Sequence, residues 1–392
     1  MGFFSGRATF ARYRVLATAP RLFGPDHLDR LAAHPAGRQR LASPDGVEVG
    51  WTAGDHILDT RFDLAKNVVN DTLHFAFRVD SAKLPTDLLR AYYQVELEAL
   101  AANNPSGRPS ARQKREARDS ARERLEEEAK DGRFLKRKAI ELLWDAQLNE
   151  LLVGTTAATN IDQIHALFER TFGCGFEAVT AGRRAFQLAE LHQTSRGVDD
   201  ASPSAFVPGL SPDEVAWVPD ENSRDFLGNE FLLWLWYVLD AESDTLALSD
   251  GSEVTAMLAR TLTLECPRGQ TGYESITCEG PARLPEAKRA IQAGKMPRKA
   301  GLTLVRHDAA YDLAFAAETL AVTGAKLPAV EGEEERARLE ERVTQLRHLI
   351  ETLDLLYDAF TRRRSSADWP KELAKVQKWL QREERRPLSA IG

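Results

Sequence analysis

The segment from Ser110 to about Lys130 sets the tightest limit on the fold. It reads as one continuous helix, yet Ala111, Ala117, Ala121 and Leu125 are its only apolar candidates. A helix without a broad apolar stripe cannot be held by a core, so it must project or bridge to another element. Asn103 to Pro109 precedes it as a break, Asp131-Gly132 ends it, and Arg133-Phe134-Leu135-Lys136-Arg137-Lys138 follows.

The formal net charge of −7 over 392 residues argues, taken alone, against a nucleic-acid partner. The deciding quantity is the distribution of charge. Between Pro105 and Lys138, twelve cations stand against seven anions, so this stretch carries +5 and the remainder −12. The cations are Arg108, Arg112, Lys114, Arg115, Arg118, Arg122, Arg124, Lys130, Arg133, Lys136, Arg137 and Lys138, gathered at the two ends. Duplex DNA, with one charge per ~1.7 Å of axis, rewards such clusters through counterion release. The alternative is a solvated helix laced by i,i+4 pairs, such as Arg115 with Asp119, Arg122 with Glu126, or Glu126 with Lys130. Lys288, Arg289, Lys295, Arg298 and Lys299 form a second basic cluster.

Signals for catalysis are missing. The eight histidines are scattered, no HExxH, Cys-x-x-Cys or Walker A pattern occurs, and the three cysteines are widely spaced. Gly173-Cys174-Gly175-Phe176-Glu177-Ala178 fits GxGxxA but follows a helix rather than a strand, which reads as a helix-to-strand turn. Asp199-Asp200 lies in a Ser/Pro-rich stretch and reads as linker. No catalytic residue, metal site or cofactor is expected. The longest apolar run, Phe231 to Leu239, is about half of the ~20 residues that span a bilayer. The N-terminus lacks a signal-peptide pattern, and Met1-Gly2 is only a short match to a myristoylation site. A membrane partner is therefore not expected, and a cytoplasmic location is.

Period-two alternation and turn residues predict an α+β chain with antiparallel sheet. Strands are expected at Gly6–Leu16, Val47–Trp51, Thr60–Leu64 and Leu73–Val79, with helices opening at Pro25 and Pro85. Ile140–Trp144 and Glu150–Gly154 read as a hairpin, followed by a helix from Ile161. Thr194 to Pro212 reads as a linker, and Asp225–Leu239 as an apolar, aromatic helix for a core or an interface. Further strands are expected at Thr245–Leu248, Val254–Cys266, Glu274–Cys278, Ala300–Arg306, Tyr311–Glu318 and Thr319–Lys326, with a helix over Pro285–Ala293. In the tail, Leu339, Val343, Leu346, Ile350, Leu353, Tyr357 and Phe360 step as a heptad seam. It can pair with Leu373, Val376 and Leu380 or with another chain. The divisions expected are 1–102, an N-terminal α+β region; 103–140, a charged helical finger; 141–193, a hairpin and helix completing the first region; 194–256, an insertion with the aromatic helix; 257–330, a second α+β region; and 331–392, C-terminal helices.

Three segments resemble the RdgC family of recombination-associated proteins. They are the charged helix with Arg133 to Lys138, Leu142-Leu143-Trp144 and the Ile161 helix; Glu286 to Lys295 with Lys299-Ala300-Gly301-Leu302 and the strands to Glu318; and the Arg347–Phe360 helix. The resemblance implies ferredoxin-like units, a projecting finger and a ring-shaped homodimer that clamps duplex DNA with little sequence preference. It implies no catalysis, and it implies reduced access of a RecA-type recombinase to nucleoid DNA. With the charge pattern, it points to Arg112, Lys114, Arg115, Arg118, Arg133, Phe134, Lys136, Arg137, Lys138, Lys295, Arg298 and Lys299 as DNA contacts. In the family, an aromatic at the position of Phe134 lies on the finger and helps hold DNA; shelter by Leu135 and Ile140 is the core alternative. After Cys278 the chain departs from the family, reading Glu279-Gly280-Pro281 in place of a Lys-Lys-Gln contact. The rival expectation is a protein-interaction scaffold using the heptad helix and the aromatic insertion. A nuclease is a third.

Overall fold

The computed structural model describes residues 2–37, 46–102, 108–209, 222–267, 272–330 and 334–382, together with 215, 217, 218 and 220. Of the expected break at 103–109, residues 103–107 lie outside the described residues, as do 210–212 of the expected linker. Among the described residues the chain is α+β, with eleven α-helices and antiparallel strand ladders. It divides into two compact units. One comprises Met1–Ala19, Leu143–Ala157 and Phe176–Gly392; the other comprises Pro20–Leu142 and Ala158–Gly175.

In the first unit, the strands run side by side in the order Glu274–Cys278, Glu253–Glu265, Met296–Arg306, Ala309–Ala316, Val322–Lys326, Ala8–Val15 and Glu150–Val153. Alternation puts Tyr311, Leu313 and Phe315 into the core. The helix Phe226–Ala241 belongs to that core. Every residue from Phe226 to Val238 is buried, which explains an apolar sequence without a polar face. Phe231 meets Phe315, Tyr357 and Phe360, and Trp236 meets Trp379, at centroid distances of 5.2–6.1 Å. Asn229 and Glu230, the helix's buried amide and carboxylate, are both engaged. The Asn229 amide donates to the Pro297 carbonyl and to Glu318, and Glu230 pairs with Arg364 at 2.6 Å. The segment expected as an insertion thus supplies the centre of this unit.

The heptad helix is Glu335–Arg364. Its seam positions from Val343 to Phe360 are buried within the chain, together with Leu349, Leu356, Asp354 and Asp358. A buried face this wide is that of a core helix, not of a two-stranded coiled coil. Trp369–Gln381 packs on the aromatic helix and on Pro285–Gln292. The two apolar surfaces that the sequence offered for oligomer or scaffold contacts are therefore internal. No helix among the described residues is long and apolar enough to cross a membrane.

In the second unit, Val47–Thr52 pairs with Thr72–Ala82, which is flanked by Leu135–Asp145. Trp51 is fully buried among Phe75, Phe77 and the helix Ile161–Phe172, and its indole N–H donates to Thr171 Oγ1 at 2.8 Å. Gly173 closes that helix with φ +74° before the strand Phe176–Ala178, so the GxGxxA string is a turn. The expected strand Thr60–Leu64 is not formed. Asp63 instead caps a single helical turn, Leu64–Asn67, accepting from the Ala65 N–H, and the buried Asn67 amide donates to the Ala53 and His74 carbonyls. A cap outcompetes alternation over so short a segment.

One ion cluster is largely buried in the first unit. Arg12 forks onto Glu150 and onto Asp354 at 2.7–2.8 Å, and Arg184 reaches Asp354 at 2.6 Å. Burial by itself would raise the Asp354 carboxyl, but the charges and hydrogen bonds of Arg12 and then Arg184 outweigh it and hold it below the ordinary carboxylate range. A carboxylate whose pKa is depressed by folding stabilises the fold above its unfolded value, roughly 3.9, and that contribution is lost as pH falls through the folded value. Asp354→Asn should therefore lower stability by about 3–5 kcal/mol at pH 7, with the gap to wild type narrowing below about pH 4. Urea unfolding at pH 7 and pH 3 measures this. Phe231→Ala should cost about 3–5 kcal/mol at pH 7 in the same assay; a loss under about 1 kcal/mol would mean that the aromatic helix is not the packing centre.

Candidate nucleic-acid interface

The finger is a pair of helices. Thr86–Ala102 presents Leu89, Tyr93, Leu97 and Leu100 half-buried, and Ala111–Ala129 packs on it through the fully buried Ala117, Ala121 and Leu125. The two run antiparallel. The Gln113 amide donates to the Leu100 carbonyl at one end, and Tyr92 O–H donates to Glu128 at 2.6 Å at the other. Small residues let the backbones approach closely, so a stripe only one residue wide is enough for a helix the sequence left without a core. Ser110 starts the charged helix with a capping box, exchanging hydrogen bonds with Gln113.

At ~100° per residue, Arg112, Arg115, Arg118 and Arg122 fall within an arc of about 120° that begins beside the packed stripe and is shared by Asp119 and Glu126, and the first three span about 9 Å of axis. All four are exposed. Glu116, Glu123 and Glu127 are exposed along one flank. Of the expected i,i+4 pairs only Arg122–Glu126 forms, at 2.8 Å, and Lys130 turns to Glu127 instead. Among the described residues, Arg112, Lys114, Arg115 and Arg118 form no ion pair. Local acids thus leave the half of the helix near Ser110 cationic and neutralise much of the other half.

The residues after the helix divide in the same way. Arg133 donates to Asp131 at 2.7–3.1 Å and approaches Glu128 at 3.4 Å; the hydrogen bonds from Arg133 hold the Asp131 carboxyl below its usual range. Arg137 lies 3.6 Å from Asp80, which is itself paired with Arg78. Lys136 and Lys138 are exposed, and neither forms an ion pair among the described residues. Phe134 is half-buried in the turn before the strand Leu135–Asp145. This is the end of the finger where Tyr92 meets Glu128, so Phe134 sits at the base of the helix pair and not at its far end.

The second basic cluster is assembled differently. Lys295 is buried with Glu274 at 2.6 Å. Arg298 is held between Glu318 and Glu265 at 2.7–2.8 Å, with the Trp217 ring 4.6 Å away. Lys288 lies over Trp379 and near Asp240. Lys299 is half-buried without an ion pair among the described residues. The structure does not gather this set into an open cationic surface; its carboxylate partners come from other strands. What sequence reading missed is the role of Thr86–Ala102 as the second half of the finger, although its Leu89-Tyr93-Leu97-Leu100 face was the available signal.

Compared with known proteins, the chain matches no family model and no curated protein.

Because one narrow stripe holds the finger, a single charge there should undo it locally. Ala121→Asp buries an unpaired carboxylate. Circular dichroism should lose helix signal equivalent to the finger, while the main thermal transition stays within about 2 °C of wild type. A single cooperative transition lowered as a whole would show that the finger is not an independent unit of stability.

Proposed function

We propose that this chain is a non-catalytic, largely sequence-independent double-stranded DNA-binding protein, with the outer face of the finger as its principal contact. The observation that carries the reading is the row of exposed Arg112, Arg115 and Arg118, without carboxylate partners among the described residues, in a chain whose remainder is strongly acidic. Cations already satisfied by acids release few counterions on meeting phosphate, whereas unpaired ones contribute in full. Lys114, Lys136 and Lys138 extend the contact. Arg133, Arg137, Lys295 and Arg298 act mainly in holding the fold.

The resemblance to RdgC-type proteins supplies the larger setting of the proposal: ferredoxin-like units, a two-fold ring or clamp on duplex DNA, and restriction of a RecA-type recombinase at the cytoplasmic nucleoid. A homodimer of this chain would use surfaces other than the aromatic helix and the heptad seam, since both are internal. The same burial removes the surfaces on which the scaffold reading depended.

Affinity for a random-sequence duplex should fall by about 10³ between 50 and 200 mM salt if on the order of six phosphates are contacted. Replacing Arg112, Arg115 and Arg118 by Ala should flatten the log–log salt slope by about 2.7 and weaken all sequences alike. Fluorescence anisotropy at four salt concentrations measures both. Binding that does not depend on salt, or a triple variant with an unchanged slope, would refute the assignment.

A further inference from the structure

A second site lies in the first unit, on the face of the sheet opposite the buried Tyr311, Leu313 and Phe315. There a cleft of about 160 Å³ is lined by Arg7, Arg260, Thr261, Thr303 and Asp312. We propose that it binds the phosphate group of a small phosphorylated ligand, gripped between Arg7 and Arg260.

Irregular strand pairing makes the cleft. Ala300 faces Leu262 and Leu302 faces Leu258, so Gly301 stands alone against Ala259, Arg260 and Thr261. An excess of two residues keeps Leu258 and Leu262 on the core side and throws Arg260 outward, where strict alternation would have buried it. Gly301 is required at this point, since a Cβ would lie 1.9 Å from the Ala259 carbonyl oxygen. A second bulge surrounds Gly324, whose strand carries an extra residue against both neighbouring strands. Two bulges converging on one cleft are a known way of re-aiming side chains beside a functional site.

Arg260 holds φ +67°, a left-handed conformation in which an arginine is strained. Strain at a residue facing a cleft is a reason to look for a ligand there. The donor inventory names the ligand's chemistry. Arg260 Nη2 donates to Asp312 Oδ2 at 3.0 Å, and Thr303 O–H donates to Asp312 Oδ1 at 2.7 Å, so both carboxylate oxygens serve to hold the site. Arg7 Nη1 donates to the Gly324 carbonyl at 3.0 Å. Each guanidinium has five N–H donors, and no other protein partner is described for either. The cleft is thus lined by two arginines with donors to spare, carries one net positive charge and has a threonine hydroxyl, Thr261, beside it. A guanidinium fork suits a phosphate, which it can engage through two parallel hydrogen bonds, and two guanidinium groups line this cleft. The volume is roughly ten times the ~15 Å³ that one water needs, room for a phosphate and a few attached carbons and too little for a duplex.

The test titrates inorganic phosphate and phenyl phosphate into the full chain at constant ionic strength, by calorimetry and by thermal melting. Both ligands should bind saturably and raise the Tm. Arg260→Gly should raise the Tm of the unliganded protein, because glycine accepts the left-handed backbone, and should weaken phosphate binding at least tenfold. Arg7→Gln should weaken it similarly without lowering the Tm. Phosphate binding that survives both substitutions would overturn the proposal. So would loss of duplex binding in these variants as large as in the Arg112, Arg115 and Arg118 variant, since the cleft would then be part of a nucleic-acid track. The finger variant should bind phosphate like wild type, so failure of the DNA reading and failure of this one remain distinguishable.

Discussion

The first unit depends on Arg12. Its guanidinium is enclosed, and its charge is answered by Glu150 from the neighbouring strand and Asp354 from the long C-terminal helix, with Arg184 closing the far side of Asp354. Burying these charges is costly, and only near-complete hydrogen bonding makes it tolerable. The arrangement therefore fixes registry more than it adds stability. Strand, hairpin and helix can meet in one alignment only, because any slip leaves a charge alone in the core. Arg347 with Asp145 at 2.6 Å adds a second tie of the same kind from the same helix.

With the frame set in that way, the distinction between paired and open cations becomes a question of partners. Lys295 and Arg298 look in sequence like Arg115 and Arg118, all lying in runs of basic residues. In the fold the first two face Glu274, Glu265 and Glu318, while the other two face solvent. Basic character along the chain thus splits into a set that neutralises buried acids and a set whose field reaches outward. The aromatic helix shows a similar division of labour. Its Trp and Phe residues pack the core, and its Asn229 and Glu230 anchor neighbouring segments.

Much of this was legible in the sequence where the signal is local. Gly24-Pro25-Asp26, Ser110 and Gly173 mark helix ends by side-chain and backbone chemistry that acts within one turn, and the structure places helix ends there. The His307-Asp308 turn and the strands around it also follow from alternation. What was not legible depends on register. Whether Arg298 is free or paired is decided by residues 20 and 33 positions away. The bulge at Arg260 was hidden because its two extra residues preserve the alternation of the leucines around it. Thr60 to Leu64 failed for a different reason, since a strand-like composition five residues long yielded to the cap at Asp63.

The finger has a further property that follows from its cross-section. Arginines occupy one arc of the charged helix Ala111–Ala129 and Glu116, Glu123 and Glu127 the adjoining flank, so this helix, whose six cations and six anions cancel in sum, carries an electric dipole across its width. A polyanion approaching from a distance exerts a torque on such an object before it makes contact. The acidic flank is pushed away as the arginine arc is drawn in, so the finger arrives already turned to one azimuth. A second polyanion approaching from the glutamate side is repelled. The charge asymmetry thus gives the helix a preferred orientation in an external field.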